Sequence, residues 1–408
     1  MKIYTQHFST LLASILFISG SVTDAVAQEA RARDLGIPFD GQPGRLNAIT
    51  DVAGVEVGQV TLIEGDGLLQ VGSGPIRTGV TVVHPRGKNS TDPVFAGWFT
   101  LNGSGEMTGT TWLEERGLVD GPIAITNTHS VGVVRDAAVA WMVEQSWPAV
   151  WHAPVVAETF DGGLNDINGF HVTRAHALEA MRNARGGPVE EGVVGGGTGM
   201  VCNGFKGGIG TASRQFGILD NQYTVGVLVQ CNYNWGGDNL RLGGIAVSEL
   251  LPVGRHCFTD RSIQRHLDWY PYCDEDQQDA RSQPARDGSI IIVVATDAPL
   301  LPHQLRRLAK RPSLALGRLG AISNPTSGDI FIAFSTANAR RIDEDQFSDV
   351  DMYPNNGLSS VFEAVIQATE EAIVNAMVAA ETVVGASGLR VDELPDEQVR
   401  AIFLSGEN

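Results

Sequence analysis

Short apolar runs punctuated by glycine and polar turns set the texture of the chain, as in Val80-Thr81-Val82-Val83, Ile123-Ala124-Ile125 and Tyr223-Thr224-Val225-Gly226-Val227-Leu228-Val229. Runs of this length, rich in β-branched residues, predict strands joined by tight turns. The run Ser289-Ile290-Ile291-Ile292-Val293-Val294-Ala295-Thr296-Asp297 is apolar from its second residue to Ala295, which predicts a central strand buried on both faces. Apolar positions at helical spacing predict helices over 135–147, 171–185, 302–319 and 358–384, the last uninterrupted by glycine until Gly385. Strands and helices are mixed along the whole length with no low-complexity linker, so the pattern predicts one layered α/β sandwich rather than separate domains.

Two segments depart from this texture. Lys2, the short apolar run Leu11 to Ile18 and the small residues Ala25-Val26-Ala27 read as an export signal, with the mature chain starting near Gln28 in the periplasm or outside the cell. The apolar run is well short of the roughly 20 residues of a spanning helix, and no later stretch qualifies, so a mature protein free of the membrane is expected. From Asp274 to Gly288 the chain is polar throughout and has almost nothing to bury, which predicts a surface loop accessible to cleavage.

Composition narrows the chemistry. A net charge of −18 argues against nucleic acid as a partner and favours small or cationic ligands. The four cysteines of an exported chain can all be oxidised. Cys257 and Cys273 lie close together in a polar, aromatic-rich stretch, where a local disulfide is one reading; Cys202 and Cys231 sit in strand-like apolar contexts and read as buried free thiols. No Cys/His spacing suggests a metal, and His171 and His176 do not form the zinc motif HExxH. Asn102-Gly103-Ser104-Gly105-Glu106 lacks the spacing of a nucleophile elbow, which weakens a Ser-His-Asp reading, and His129 reads as an ordinary loop histidine. The run Gly195-Gly196-Gly197-Thr198-Gly199 lacks the Gly-Lys-Ser/Thr ending of a phosphate loop, and no cofactor is expected.

Taken alone, Gly288-Ser289 is a turn before a strand, since both are default turn residues. The wider sequence changes that reading. Arg33-Asp34-Leu35-Gly36-Ile37, Asn47-Ala48-Ile49-Thr50-Asp51-Val52-Ala53-Gly54-Val55, Asn127-Thr128-His129-Ser130-Val131-Gly132, Asp166-Ile167-Asn168-Gly169 and Glu371-Ala372-Ile373-Val374-Asn375-Ala376 span nearly the whole mature chain. With Gly288-Ser289-Ile290-Ile291 and Ala295-Thr296-Asp297-Ala298-Pro299-Leu300, this set resembles the L-aminopeptidase D-esterase and β-peptidyl aminopeptidase family. The resemblance implies a four-layer αββα sandwich, like that of N-terminal-nucleophile hydrolases but differently connected. It also implies self-cleavage at Gly288-Ser289 into an α chain (28–288) and a β chain (289–408), with tetramers of the cut unit. Glycine leaves its carbonyl open to attack by the serine hydroxyl. The freed α-amine, with an ordinary pKa of about 7.7 to 8.0, then serves as base for the hydroxyl of its own residue.

Site residues follow by the same resemblance. Ser289 is the expected nucleophile, supported by Ser327 and the acid Asp329, which stands where the family usually has glutamate. Asn232 matches the oxyanion asparagine, with Asn234 a rival for the register and the 195–199 glycines a possible source of backbone donors. Glu158 is expected to read a substrate ammonium. Phe160 replaces a tyrosine of some members, and Asp161 is a turn residue or a second anion. The substrates implied are short peptides, amides or esters with a free amino end, built from α- or β-amino acids. The competing reading is a non-catalytic periplasmic binding protein, which would have no use for a serine at a cleavable loop-to-strand junction.

Overall fold

The computed structural model describes residues 1–2, 30–252, 256–275, 288–342 and 345–404. The proposed export signal and residues 276–287 of the polar loop lie outside the described residues.

Ten strands build two stacked sheets. The first sheet holds β1 (Glu56–Glu64), β2 (Ile76–His84), β5 (Ile123–Asn127) and β6 (Val155–Thr159) in that order, with β5 and β6 parallel. The second holds β4 (Leu118–Val119), β3 (Val94–Gly103), β10 (Gly328–Ser335), β9 (Ser289–Thr296), β8 (Asn221–Asn232) and β7 (Gly208–Ile218) in that order. Strands β9 and β10 are its parallel pair at the centre, as the unbroken apolar run of β9 demands.

Side chains alternate across these strands, and the alternation defines the layers. Ile291 and Val293 of β9 and Ile330 and Ile332 of β10 meet Val83, Ile125 and Ala157 of the other sheet in an apolar layer between the sheets. Ile290, Ile292, Val294, Phe331 and Ala333 point the other way, onto Val361, Val365, Ala368 and Ala372 of the helix Leu358–Val378. On the far side of the first sheet, Val80, Val82, Ala124 and Val156 pack against the helices Val131–Glu144 and Arg174–Asn183. The result is helix, sheet, sheet, helix, the four-layer order expected from the resemblance.

Several elements differ from expectation. The helix expected over 302–319 is two, Pro302–Leu308 and Pro312–Arg318, because Pro312 cannot donate into a continuing helix and starts a new one. The long helix stops at Val378, and Val383–Val384 instead pairs with Leu389–Val391. Cys202 and Cys231 are not free thiols: they form a disulfide, as do Cys257 and Cys273. Cys202 lies on a short hairpin that packs beside the end of β8, so two cysteines buried for their apolar character meet across that contact.

The N-terminal segment is fastened by charge. Glu371, on the long helix, takes Arg33 on both its oxygens at 2.8 Å and Arg214 of β7 at 2.5 Å. The Arg214 and Glu371 side chains are wholly buried. Removing one partner strands the other charges, so Glu371→Ala is expected to lower unfolding free energy by roughly 3–5 kcal/mol in a urea titration. A loss below about 1 kcal/mol, the surface ion-pair range, would show that the network contributes little.

Candidate active site

Ser289 opens β9 and lies opposite Asn232, the last residue of β8, on one side and Gly328, the first of β10, on the other. Alternation turns Ser289 to the same face as Ile291 and Val293, at the mouth of the layer between the sheets. Its Oγ accepts a hydrogen bond from the Gly328 amide at 3.2 Å and is buried to 5% exposure. The Ser289 backbone is therefore paired on both flanks and its hydroxyl bonded from one of them, a geometry that a loop would not hold.

Gly288 is buried beside this point. A Cβ there would lie 1.4 Å from the Asn232 carbonyl oxygen and 2.6 Å from Trp235 Nε1, so the position admits no side chain. The glycine that reads as a turn in sequence is a close-approach glycine in space.

Asn232 is clamped at both ends. Its Oδ1 accepts from the Val201 amide at 2.9 Å and its Nδ2 donates to the Phe160 carbonyl at 2.9 Å. A carboxamide nitrogen carries two hydrogens, so a second remains beside the one that holds the side chain in place. Asn234 lies beyond the strand end and donates to Asn203 Oδ1 at 3.0 Å; it does not pair with Ser289. The glycines expected as further donors are committed elsewhere: the amides of Gly195, Gly196 and Gly197 donate to Thr61, Thr81 and Val194. They pack the turn against the first sheet.

Ser327 Oγ donates to Asp329 Oδ1 at 2.7 Å, and both residues are buried. The shorter acid thus still reaches its serine. Asp329 alternates to the helix-facing side of β10 while Gly328 faces Ser289, so the contact from this segment to the hydroxyl runs through the Gly328 amide.

Glu158, at the edge of the first sheet, accepts from the Glu106 amide at 3.0 Å and from Thr128 Oγ1 at 2.5 Å. A Cβ at Gly105 would lie 3.0 Å from Glu158 Oε1 and 3.3 Å from Gly328 Cα, so that glycine sits between the carboxylate and the serine's neighbour. Burial pushes the Glu158 carboxyl above the usual range, opposed by the hydrogen bonds from Thr128 and Glu106. A buried carboxylate held by two hydrogen bonds suits a cationic ligand. Phe160 is 41% exposed, with its ring centroid 6.3 Å from that of Trp235. Asp161 is a turn residue whose carbonyl accepts from Leu164 and Asn165, and burial pushes its carboxyl up to about 7. His129 is an exposed residue of the 3-10 turn Thr128–Ser130, stacked on Phe170, while His171 bonds Asp166, so neither histidine shares a partner with Ser289.

Thr128, Gly105 and Trp235 also build this site. Thr128 falls within the motif Asn127 to Gly132, but the other two carry no local signal, since their role depends on which segments meet.

Residues 47–391 match the peptidase family S58. The chain is 54% identical over 401 residues to a β-peptidyl aminopeptidase, BapA, of Sphingosinicella microcystinivorans, covering 97% of this chain and 96% of that one. A Burkholderia sp. β-aminopeptidase superposes with a TM-score of 0.78 at 44% identity, over 93% of this chain and 99% of the other. The L-aminopeptidase D-Ala-esterase/amidase of Ochrobactrum anthropi, described as a prototype of the serine aminopeptidases and a new variant of the N-terminal-nucleophile hydrolase fold, gives 0.80 at 44% identity, over 92% and 98%. The chain thus belongs to peptidase family S58, with the L-aminopeptidase D-esterases and β-peptidyl aminopeptidases, and is an aminopeptidase.

Proposed function

We propose that this aminopeptidase is exported, cuts itself between Gly288 and Ser289, and uses the resulting N-terminal serine to release amino-terminal residues from short peptides, amides or esters, β-amino acid peptides among them. The observation that supports this most is the junction itself: a side-chain-free residue pressed on the Asn232 carbonyl, followed by a serine paired between Asn232 and Gly328 at the head of a central strand, its hydroxyl bonded by the Gly328 amide. In self-cleavage the Ser289 hydroxyl adds to the Gly288 carbonyl, the peptide nitrogen takes a proton and leaves as the new α-amine, and water hydrolyses the ester to a Gly288 carboxylate. In turnover the neutral α-amine accepts the hydroxyl proton as Oγ attacks the substrate carbonyl. The second Nδ2 hydrogen of Asn232 serves the developing oxyanion. The departing amine is protonated, with Ser327 and Asp329 assisting, and water completes hydrolysis. The cut chains assemble as a homo-oligomer.

Glu158 is assigned the substrate ammonium. It binds a cation only when ionised, so recognition is lost as pH falls through its pKa, and burial places that loss at higher pH than for an exposed glutamate. Peptides with a free amino end should be turned over and their N-acetylated forms should not. Glu158→Gln should raise KM by about 10- to 100-fold, the scale of a lost charged hydrogen bond, and remove the acid limb of kcat/KM against pH. Equal turnover of free and acetylated peptides, or an unchanged acid limb in Glu158→Gln, would take this role away.

A further inference from the structure

Just past the end of β8, Asn234 takes a φ of 54°, a left-handed turn that asparagine tolerates, and Trp235 follows it beside the strand mouth. The ring is packed in place. It is 6% exposed and lies among Leu164, Phe258 and Val201, the residue whose amide holds Asn232. Gly163 closes on its edge, where a Cβ would come 3.0 Å from the ring. The backbone is held as well, since the buried His256 donates from Nε2 to the Trp235 carbonyl at 3.1 Å. The Cys257–Cys273 disulfide ties in the segment that supplies Phe258.

Among the described residues nothing pairs with the indole N–H, although it is buried. An indole nitrogen can only donate, and burying a donor without an acceptor costs folding free energy, so buried tryptophans usually find a partner. This nitrogen borders the scissile junction. A Cβ on Gly288 would lie 2.6 Å from Nε1, which brings the donor against the residue whose carbonyl is attacked. Self-cleavage creates the acceptor that the donor lacks. As Ser289 Oγ bonds to the Gly288 carbonyl carbon, the C=O π pair moves onto the oxygen. The hydroxyl proton passes to the Ser289 nitrogen, the C–N bond breaks with its pair on that nitrogen, and the oxygen returns its own pair to form the ester. The indole keeps its proton throughout and gives only a hydrogen bond, strongest while the charge is on the oxygen.

We propose that the Trp235 N–H stabilises the oxyanion on Gly288 during self-cleavage, which makes Trp235 a catalytic residue of maturation. This rests on the reading of Gly288-Ser289 as the bond that is cut. Two variants of the full chain separate the hydrogen bond from the packing. Trp235→Phe removes the N–H together with part of the ring. Site-specific replacement of Trp235 by β-(3-benzothienyl)alanine puts sulfur where the N–H was and keeps nearly the same shape. The conversion of one band into two on a denaturing gel is timed for wild type and both variants, with thermal unfolding as the check on the fold. Self-cleavage should slow about 100-fold in both, the scale of losing one oxyanion donor, while the benzothienyl variant unfolds close to wild type. Cleavage of the benzothienyl variant at the wild-type rate would overturn the inference whatever Trp235→Phe does, because the ring would then act by packing alone. A wild-type chain that never cuts at this bond would instead bring down the parent reading, before any variant is compared.

Discussion

Ser289→Ala is expected to accumulate as one uncut chain with turnover lowered by several powers of ten, on the order of 10⁶-fold in kcat, as when other hydrolases lose their nucleophile. The reason is twofold. In the proposed mechanism the hydroxyl is the attacking group in both self-cleavage and catalysis, and without cleavage no α-amine exists on residue 289 to act as its base. The fold should be spared, because Ser289 contributes one weak hydrogen bond, from the Gly328 amide at 3.2 Å, and the apolar run behind it is untouched. Circular dichroism and thermal unfolding close to wild type, together with one band on a denaturing gel, are the expected result. A variant that still cuts at this bond would show that another residue performs the attack.

Gly288→Val should block maturation by a different route. Its Cβ would fall 1.4 Å from the Asn232 carbonyl oxygen, and that oxygen belongs to ladder backbone with no freedom to swing aside. Relief requires either Gly288 to leave the attack position or Asn232 to move, and movement breaks its bonds to Val201 and Phe160. Overpacking a tight site costs roughly 1–3 kcal/mol or more, which in rate is about 10- to 100-fold. The time course of the two bands after synthesis should slow by at least that factor. Once cut, the variant's β chain is identical to wild type, so any fraction that matures should regain activity in proportion. Wild-type cleavage kinetics in Gly288→Val would mean that residue 288 does not pack as described.

Much of this architecture was readable in one dimension. A run that is apolar from Ile290 to Ala295 has only one stable environment, a strand covered on both faces, and the layers on either side of β9 follow from it. Helix spacing located the long helix but not its end, because Val383 and Val384 suit a helix and a strand equally and the pairing with 389–391 decides. The disulfide between Cys202 and Cys231 escaped for a related reason: burial of a thiol and burial of a disulfide leave the same apolar context, and only the third dimension shows the two side by side. The glycines at 195–197 looked like donors because glycine-rich turns often are, but threonine hydroxyls of the first sheet had already engaged two of their amides. Of the site residues, those in compact motifs could be named, whereas Gly105 and Trp235 reach the site through contacts between distant segments. Asp329 illustrates the limit of substituting by analogy. One methylene shorter than glutamate, it still accepts from Ser327.

Denaturing mass spectrometry of purified, fully active protein bears most directly on the central idea, that peptide-bond scission creates the base its serine needs. Two polypeptides are predicted, the smaller spanning 289–408 with a free amine on Ser289. Activity residing in a chain continuous through 288 and 289 would contradict it.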